Sequence, residues 1–171
     1  MNNMEINEKL CDMLEEIKMS SPDPSTKTAC IIIDKHGEII NTAYNGFIND
    51  CDTSKLSLER PDKYSYIAHA EFNAVVTSGK DLSDNCVVYC SYLPCINCFH
   101  TMWQAGIKDI RYKELFVNSK NASADGGKFY NNDTWRILIT QFKACGNKLK
   151  ITNAVNGKTF WEEIEELNKN D

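Results

Sequence analysis

Two short stretches of the chain carry residue types that can do chemistry together, Ala68-His69-Ala70-Glu71 and Pro94-Cys95-Ile96-Asn97-Cys98. Thiols three residues apart at a helix start lie on neighbouring positions of one turn and reach one ion, and the unpaired N–H groups and macrodipole there favour their thiolate forms. Zinc is the ion such a pair selects. The spacing is shared with redox pairs and with half of a zinc ribbon, so a third ligand decides. Of the three histidines, His36 falls in a turn and His100 projects from the body of the helix after the thiols, which suits surface or helix-packed positions. His69 is left as the well-placed imidazole.

His69 and Glu71 stand about 200° apart around a helix, so both cannot be ligands from one mid-helix face. They converge only past the helix end, where an ion takes His69 as a ligand and leaves Glu71 to reach over it as a base. Cys95, Cys98 and His69 make three protein ligands, and a zinc with three keeps its fourth position for water, as catalytic sites do. The alternative closes the tetrahedron with Cys90 and makes the chain a binding module with structural zinc, in which Glu71 is a helix-start carboxylate. Cys86, Val88 and Cys90 share one strand face, which suits packed core thiols better.

These residues need a frame. Ile6, Leu10, Met13, Leu14 and Ile17 form the apolar stripe of a first helix, which Pro22 and Pro24 bring to a stop. Thr28 to Asp34 and Glu38 to Tyr44 predict a hairpin, with Lys35-His36-Gly37 as its turn. Residues 45–66 then form a connection longer than compact domains normally use, expected to lie beside the site. A helix from His69 to Gly79, a strand over Cys86–Cys90, a helix opening at Pro94 and ending by Gly106, and a strand over Lys108–Leu115 follow. Residues 118–132 are polar and rich in Asn and Gly, and Asp133 can cap a helix bearing Trp135, Leu138, Ile139 and Phe142. A strand over Lys148–Thr152 and a capping box, Thr159-Phe160-Trp161-Glu162, complete the order. This succession predicts an α/β fold over residues 1–171, a single-domain three-layer α/β/α sandwich with a mixed five-stranded sheet.

Composition sets bounds on function. With 171 residues, 42% hydrophobic and 25% charged, the chain can bury a core without disulfide staples. Its formal charge is −5 and only three of its nineteen basic residues are arginine, scattered without a stripe, so nucleic acid is not an expected partner. The longest apolar run, Ala29 to Ile33, is far short of the ~20 residues of a membrane span. The first residues lack the pattern of a secretory signal, and a cytoplasmic location is expected. In a reducing compartment the eight cysteines are small core residues plus a metal subset.

The two stretches together are the H-x-E…P-C-x-x-C signature of zinc-dependent nucleobase deaminases. Asp23-Pro24-Ser25-Thr26-Lys27, Tyr44-Asn45-Gly46, Lys63-Tyr64-Ser65-Tyr66 and Gln104-Ala105-Gly106-Ile107-Lys108 extend the resemblance, which is to the deoxycytidylate deaminase family and covers roughly residues 20–113. It implies a cytidine deaminase-like fold and hydrolysis of dCMP to dUMP and ammonia, supplying thymidylate synthesis. By the same resemblance His69, Cys95 and Cys98 hold one Zn2+, and Glu71 is the proton shuttle for attack of water at C4 of cytosine. Asn45 would bond the sugar, backbone groups around Ala70 and Pro94 would read the base edge, and Lys27 is the candidate phosphate partner, with Arg60 and Lys63 as added cations. A homo-oligomer and a nucleotide effector (dCTP or dTTP) are also implied. The chain departs from the family pattern at Phe47-Ile48-Asn49-Asp50, where effector binding would fall, and over 118–171. Another cytosine nucleoside or nucleotide, or adenine in RNA, is the second enzymatic reading; scarce arginine and net acidity weigh against RNA.

Overall fold

The structure, a computed structural model, describes residues 3–115 and 132–169. Helix α1 (Asn3–Lys18) leads to the hairpin β1 (Ala29–Ile33) and β2 (Ile39–Tyr44). Next come β3 (Gly46–Phe47), a 3-10 turn at Thr53–Lys55, α2 (Lys63–Tyr66) and β4 (Ile67–Ala68). Alternating units follow: α3 (Ala70–Val76), β5 (Val87–Tyr92), α4 (Ile96–Gln104), β6 (Asp109–Glu114), α5 (Asn132–Cys145), β7 (Lys150–Asn153) and α6 (Phe160–Lys169).

Five strands form one sheet in the order β2-β1-β5-β6-β7. β1 is antiparallel to both β2 and β5, whereas β5, β6 and β7 run parallel, so the sheet is mixed as the element order requires. All five residues of β1 are buried because both faces of the sheet are covered, which is why Ala-Cys-Ile-Ile-Ile shows no polar alternation. Its odd positions, Ala29, Ile31 and Ile33, pack with Tyr89 against Leu10, Cys11 and Leu14 of α1. Its even positions, Cys30 and Ile32, join Val88, Cys90, Ile110 and Ile151 under α3 to α6. Burial of each large apolar side chain contributes about 1.5–3 kcal/mol, so this larger face carries most of the fold's cohesion. Phe99, Phe142 and Phe160 tie three of its helices together edge to face, with centroids at 4.8 and 5.2 Å.

Several boundaries differ from the sequence expectation, for local reasons. α3 stops at Val76 instead of running to Gly79, since the backbone leaves the helical conformation at the C-cap Thr77, at φ −96° and ψ 0°. Pro94 lies one residue before the N-cap of α4, outside the helix it was expected to open. The 45–66 connection contains three short elements rather than open loop. Most of the 118–132 stretch, and the side chains of Asp133 and Trp135, lie outside the described residues. The capping box is formed as expected: the Thr159 N–H donates to Glu162 Oε2 at 2.7 Å and the Glu162 N–H to Thr159 Oγ1 at 3.3 Å.

Gly106 closes α4 at φ +98°, and the Ile107 N–H reaches back to the Met102 carbonyl at 3.0 Å. A Cβ there would stand 2.6 Å from Ser83 Cα, so glycine is required both by the left-handed conformation and by the close approach of the 82–86 segment.

Candidate metal centre

The site lies where the N-termini of α3 and α4 meet. His69 is the N-cap residue of α3, at φ −70° and ψ 152°, and Cys95 is the N-cap residue of α4, at φ −67° and ψ 166°. Neither side chain caps its own helix, so both are free to point past the helix ends. Cys98 sits in the first turn of α4 and turns the same way. The result is a cluster in which one ligand atom each from His69, Cys95 and Cys98 lies within 4.8 Å of the others, formed by residues 26 and 29 positions apart.

Nδ1 of His69 is the nitrogen that faces the thiols, 3.3 Å from Cys98 Sγ and 3.6 Å from Cys95 Sγ. In a tetrahedral zinc centre, bonds of about 2.3 Å to sulfur and 2.0–2.1 Å to nitrogen set the S···N separation at roughly 3.6 Å. The donor set fits zinc in type, number and spacing. Cys90 is not part of it: the residue is fully buried on the core face, directly across the ladder from Cys30. His36 and His100 are exposed.

Glu71, in the first turn of α3, is 8% exposed and accepts a hydrogen bond from Cys98 Sγ at 3.5 Å. Burial pushes its carboxyl up, opposed by the neighbouring charge of His69. His69 itself is raised to about 9, chiefly by its hydrogen bond with Cys95. Cys95 is held down at about 4, first by the hydrogen bond from Cys98, while Cys98 is pushed up by that bond and by burial. The Cys95 thiolate thus stands at the N-terminus of α4, where backbone N–H groups favour it. Exposure falls from His69 through Cys95 to Cys98, so the centre opens to solvent on the histidine side and closes over Glu71.

A second set of residues borders this centre. β3 pairs with β4 through Gly46↔Ala68, so Asn45 and His69 are the next residues beyond the last pair of that ladder. Asn45 is 6% exposed; its Oδ1 accepts from the Thr28 N–H and its Nδ2 donates to the Thr26 carbonyl, both at 2.8 Å. Ala70 and Pro94, the neighbours of His69 and Cys95, are buried. Among the described residues Lys27 Nζ donates to two carbonyls, those of Met19, at 3.3 Å, and Ser21, fewer than the three donors an ammonium carries. Lys63 is no surface cation, contrary to expectation: it is 2% exposed and paired with Asp23. Arg60 is exposed, 5.8 Å from the Tyr64 ring centroid.

Asp23, with Ser25 as its partner, was not singled out by spacing, although Asp-x-Ser-Thr is a sequence in which an aspartate bonds the amides two and three residues on. Asn41 was also missed; its amide donates to the Ala74 carbonyl at 2.8 Å and seats α3 on β2.

Residues 4–114 match the family model described as the cytidine and deoxycytidylate deaminase zinc-binding region. The chain belongs to that family. Among curated members it is 31% identical over 100 residues to the probable deoxycytidylate deaminase of Caenorhabditis elegans, covering 56% of this chain and 51% of that protein. It is 30% identical over 111 residues to the deoxycytidylate deaminase of Homo sapiens, covering 61% and 60%. The chain thus spans between half and three fifths of these relatives' length. Among solved structures, the dCMP deaminase of cyanophage S-TIM5 in complex with dCMP and dUMP superposes with a TM-score of 0.59 at 26% identity, over 68% of this chain and 87% of that one. Its apo form, at 21% identity and a TM-score of 0.58 over 86% of this chain and 95% of that one, shares the fold. The mixed sheet and helical layers are therefore those of the cytidine deaminase-like family, and the zinc-binding region includes all three clustered ligands. Among the described residues no helix is long and apolar enough to cross a membrane.

Proposed function

We propose that the protein deaminates dCMP, converting the C4 amine of cytosine and water to the C4 carbonyl of dUMP and ammonia. The observation that carries the reading is the juxtaposition of a three-ligand cluster with a buried carboxylate, Glu71, bonded to one of its members. It is supported by relatives named deoxycytidylate deaminases and by a structural neighbour solved with dCMP and dUMP. His69, Cys95 and Cys98 would hold the zinc, which when bound supplies Lewis-acid activation of water at neutral pH.

Every proton transfer falls to Glu71. Its carboxylate takes a proton from the attacking water as the oxygen bonds to C4, and passes that proton to N3 of the ring. It then relays the second proton of the same water to the amine, which leaves as ammonia while the C4 carbonyl forms. Burial suits the task, because it pushes the carboxyl upward and so makes it a stronger base than a solvated glutamate. Asn45, which like His69 adjoins the Gly46↔Ala68 pair, would hold the sugar, and backbone groups beside Ala70 and Pro94 would read the base edge. Lys27 would offer its remaining N–H to the phosphate.

Side-by-side turnover tests the reading: dCMP should exceed deoxycytidine, CMP and dCTP, since donors arranged for a phosphate are left unpaired by a bare nucleoside. Preference for deoxycytidine or dCTP overturns it. Phe72 and Val76, one turn apart on the exposed side of α3, with exposed Tyr64 and Tyr66 close by in sequence, support a homo-oligomer, to be read by sedimentation. A cytoplasmic location and a dCTP or dTTP effector belong to the same proposal.

A further inference from the structure

Asp23 and Lys63 are 5% and 2% exposed, and no step of the proposed reaction uses either. The ammonium meets both carboxylate oxygens, at 2.8 and 3.0 Å, and also Ser25 Oγ. Each partner belongs to a different segment bordering the metal centre. The Asp23 carboxylate accepts from the Ser25 and Thr26 N–H groups at 2.8 and 3.0 Å, fixing the turn whose Thr26 carbonyl holds Asn45 Nδ2 at 2.8 Å. Lys63 opens α2, which runs directly into β4 and His69. Since β4 pairs with β3, the strand that follows Asn45, the contacts close a ring: Asp23, Thr26, Asn45, Gly46, Ala68, and back along α2 to Lys63.

A buried ion pair is a weak net stabiliser, because desolvating two charges offsets much of their attraction. What it supplies is a short, directional, charge-assisted tie between two segments of fixed identity. We propose that the Asp23–Lys63 pair is a positioning device that holds the Asn45-bearing segment against the His69-bearing segment at the separation the substrate's sugar requires. Its kinetic arm rests on the dCMP reading, and its structural arm rests on the ring of contacts alone.

The test is the double variant Asp23→Asn/Lys63→Met in the zinc-loaded protein. Asparagine keeps an oxygen for the Ser25 and Thr26 amides, and methionine keeps most of the bulk of the lysine stem, so the turn survives and no charge is left unpaired while the tie is cut. The zinc content and a cooperative melt should be retained. KM for dCMP should rise about tenfold with kcat changed by less than about threefold, the signature of lost ground-state positioning. Asn45→Ala added to the double variant should raise KM no further, because both changes remove one coupled function. Independently of turnover, backbone hydrogen exchange over residues 44–47 and 66–68 should speed up by about tenfold while residues 87–92 stay protected. Unchanged KM and exchange overturn the proposal, as do effects of Asn45→Ala and of the double variant that simply multiply. Loss of cooperative melting in the double variant overturns it too, since the pair would then be holding the whole core. If the unmodified protein does not turn over dCMP, the substrate reading fails alone, and the exchange measurement still decides whether the tie exists.

Discussion

The metal cluster and the wall beside it are built on opposite plans. The cluster takes its ligands from two helix starts, and each start is specified by a few consecutive residues, His69 to Glu71 and Cys95 to Cys98. The wall is assembled from single residues far apart in the chain, Asp23, Asn45 and Lys63, joined by side-chain bonds across 40 positions or fewer. The metal ligands are thus hung on helix ends, whereas the wall proposed to face the substrate is held by a network of side-chain bonds between distant segments.

Four experiments probe that contrast, in descending order of effect. Cys98→Ala should abolish both zinc binding and turnover, whereas Cys11→Ala should leave the metal content intact, because Cys11 packs under α1 on the other face of the sheet; metal analysis reads this directly. Glu71→Gln should keep the zinc and the melting temperature yet lower deamination by about 10²–10⁴-fold, the usual worth of a positioned acid–base group. Unchanged ammonia release from this variant would remove Glu71 from the mechanism.

Breaking the wall should produce the converse pattern. Asp23→Asn alone leaves the Lys63 charge buried without its partner and should cost about 3–5 kcal/mol of stability while zinc stays bound. The same pair gives a pH signature. Burial pushes the Asp23 carboxyl up, but hydrogen bonds from Lys63, Ser25 and Thr26 outweigh it and hold the group below the usual carboxylate range. A carboxyl lowered in the folded state contributes stability above its unfolded pKa of about 3.9, and that contribution is lost as pH falls through the lower, folded value. The melting advantage over Asp23→Asn should therefore be full at neutral pH and shrink below about pH 4. The smallest effect is expected of Lys27→Ala, which should reduce dCMP turnover relative to deoxycytidine by only about two- to fivefold, the range of a partly exposed ionic contact. Equal losses on both substrates would assign the lysine solely to the carbonyls of Met19 and Ser21.

Most of the frame was legible because it depends on local periodicity. The stripe in α1, the hairpin around Lys35-His36-Gly37, the alternating helix and strand units and the Thr159–Glu162 capping box all follow from neighbours in sequence. Helix ends are less legible, since α3 ends at the C-cap Thr77, two residues before Gly79, and α4 starts after Cys95 rather than at Pro94. Lys63 was misread for a deeper reason: a lysine in a polar stretch has the same sequence signature whether its ammonium meets water or a buried carboxylate.

The sequence by itself offered His69, Cys95 and Cys98 as ligands and Glu71 as the candidate base, because the spacings His-x-Glu and Cys-x-x-Cys are set by how a helix begins, and a helix start is decided within a few residues. It likewise determined that His69 and Glu71 can converge only beyond a helix end, a consequence of the 100° advance per residue. Tertiary structure alone decided that the two helix starts face each other, that Nδ1 is the nitrogen turned toward the thiols, and that Asp23 and Lys63 bind one another. These are relations between segments brought together by burial of the sheet's larger face, and burial is a sum over the whole core that no local run of residues encodes.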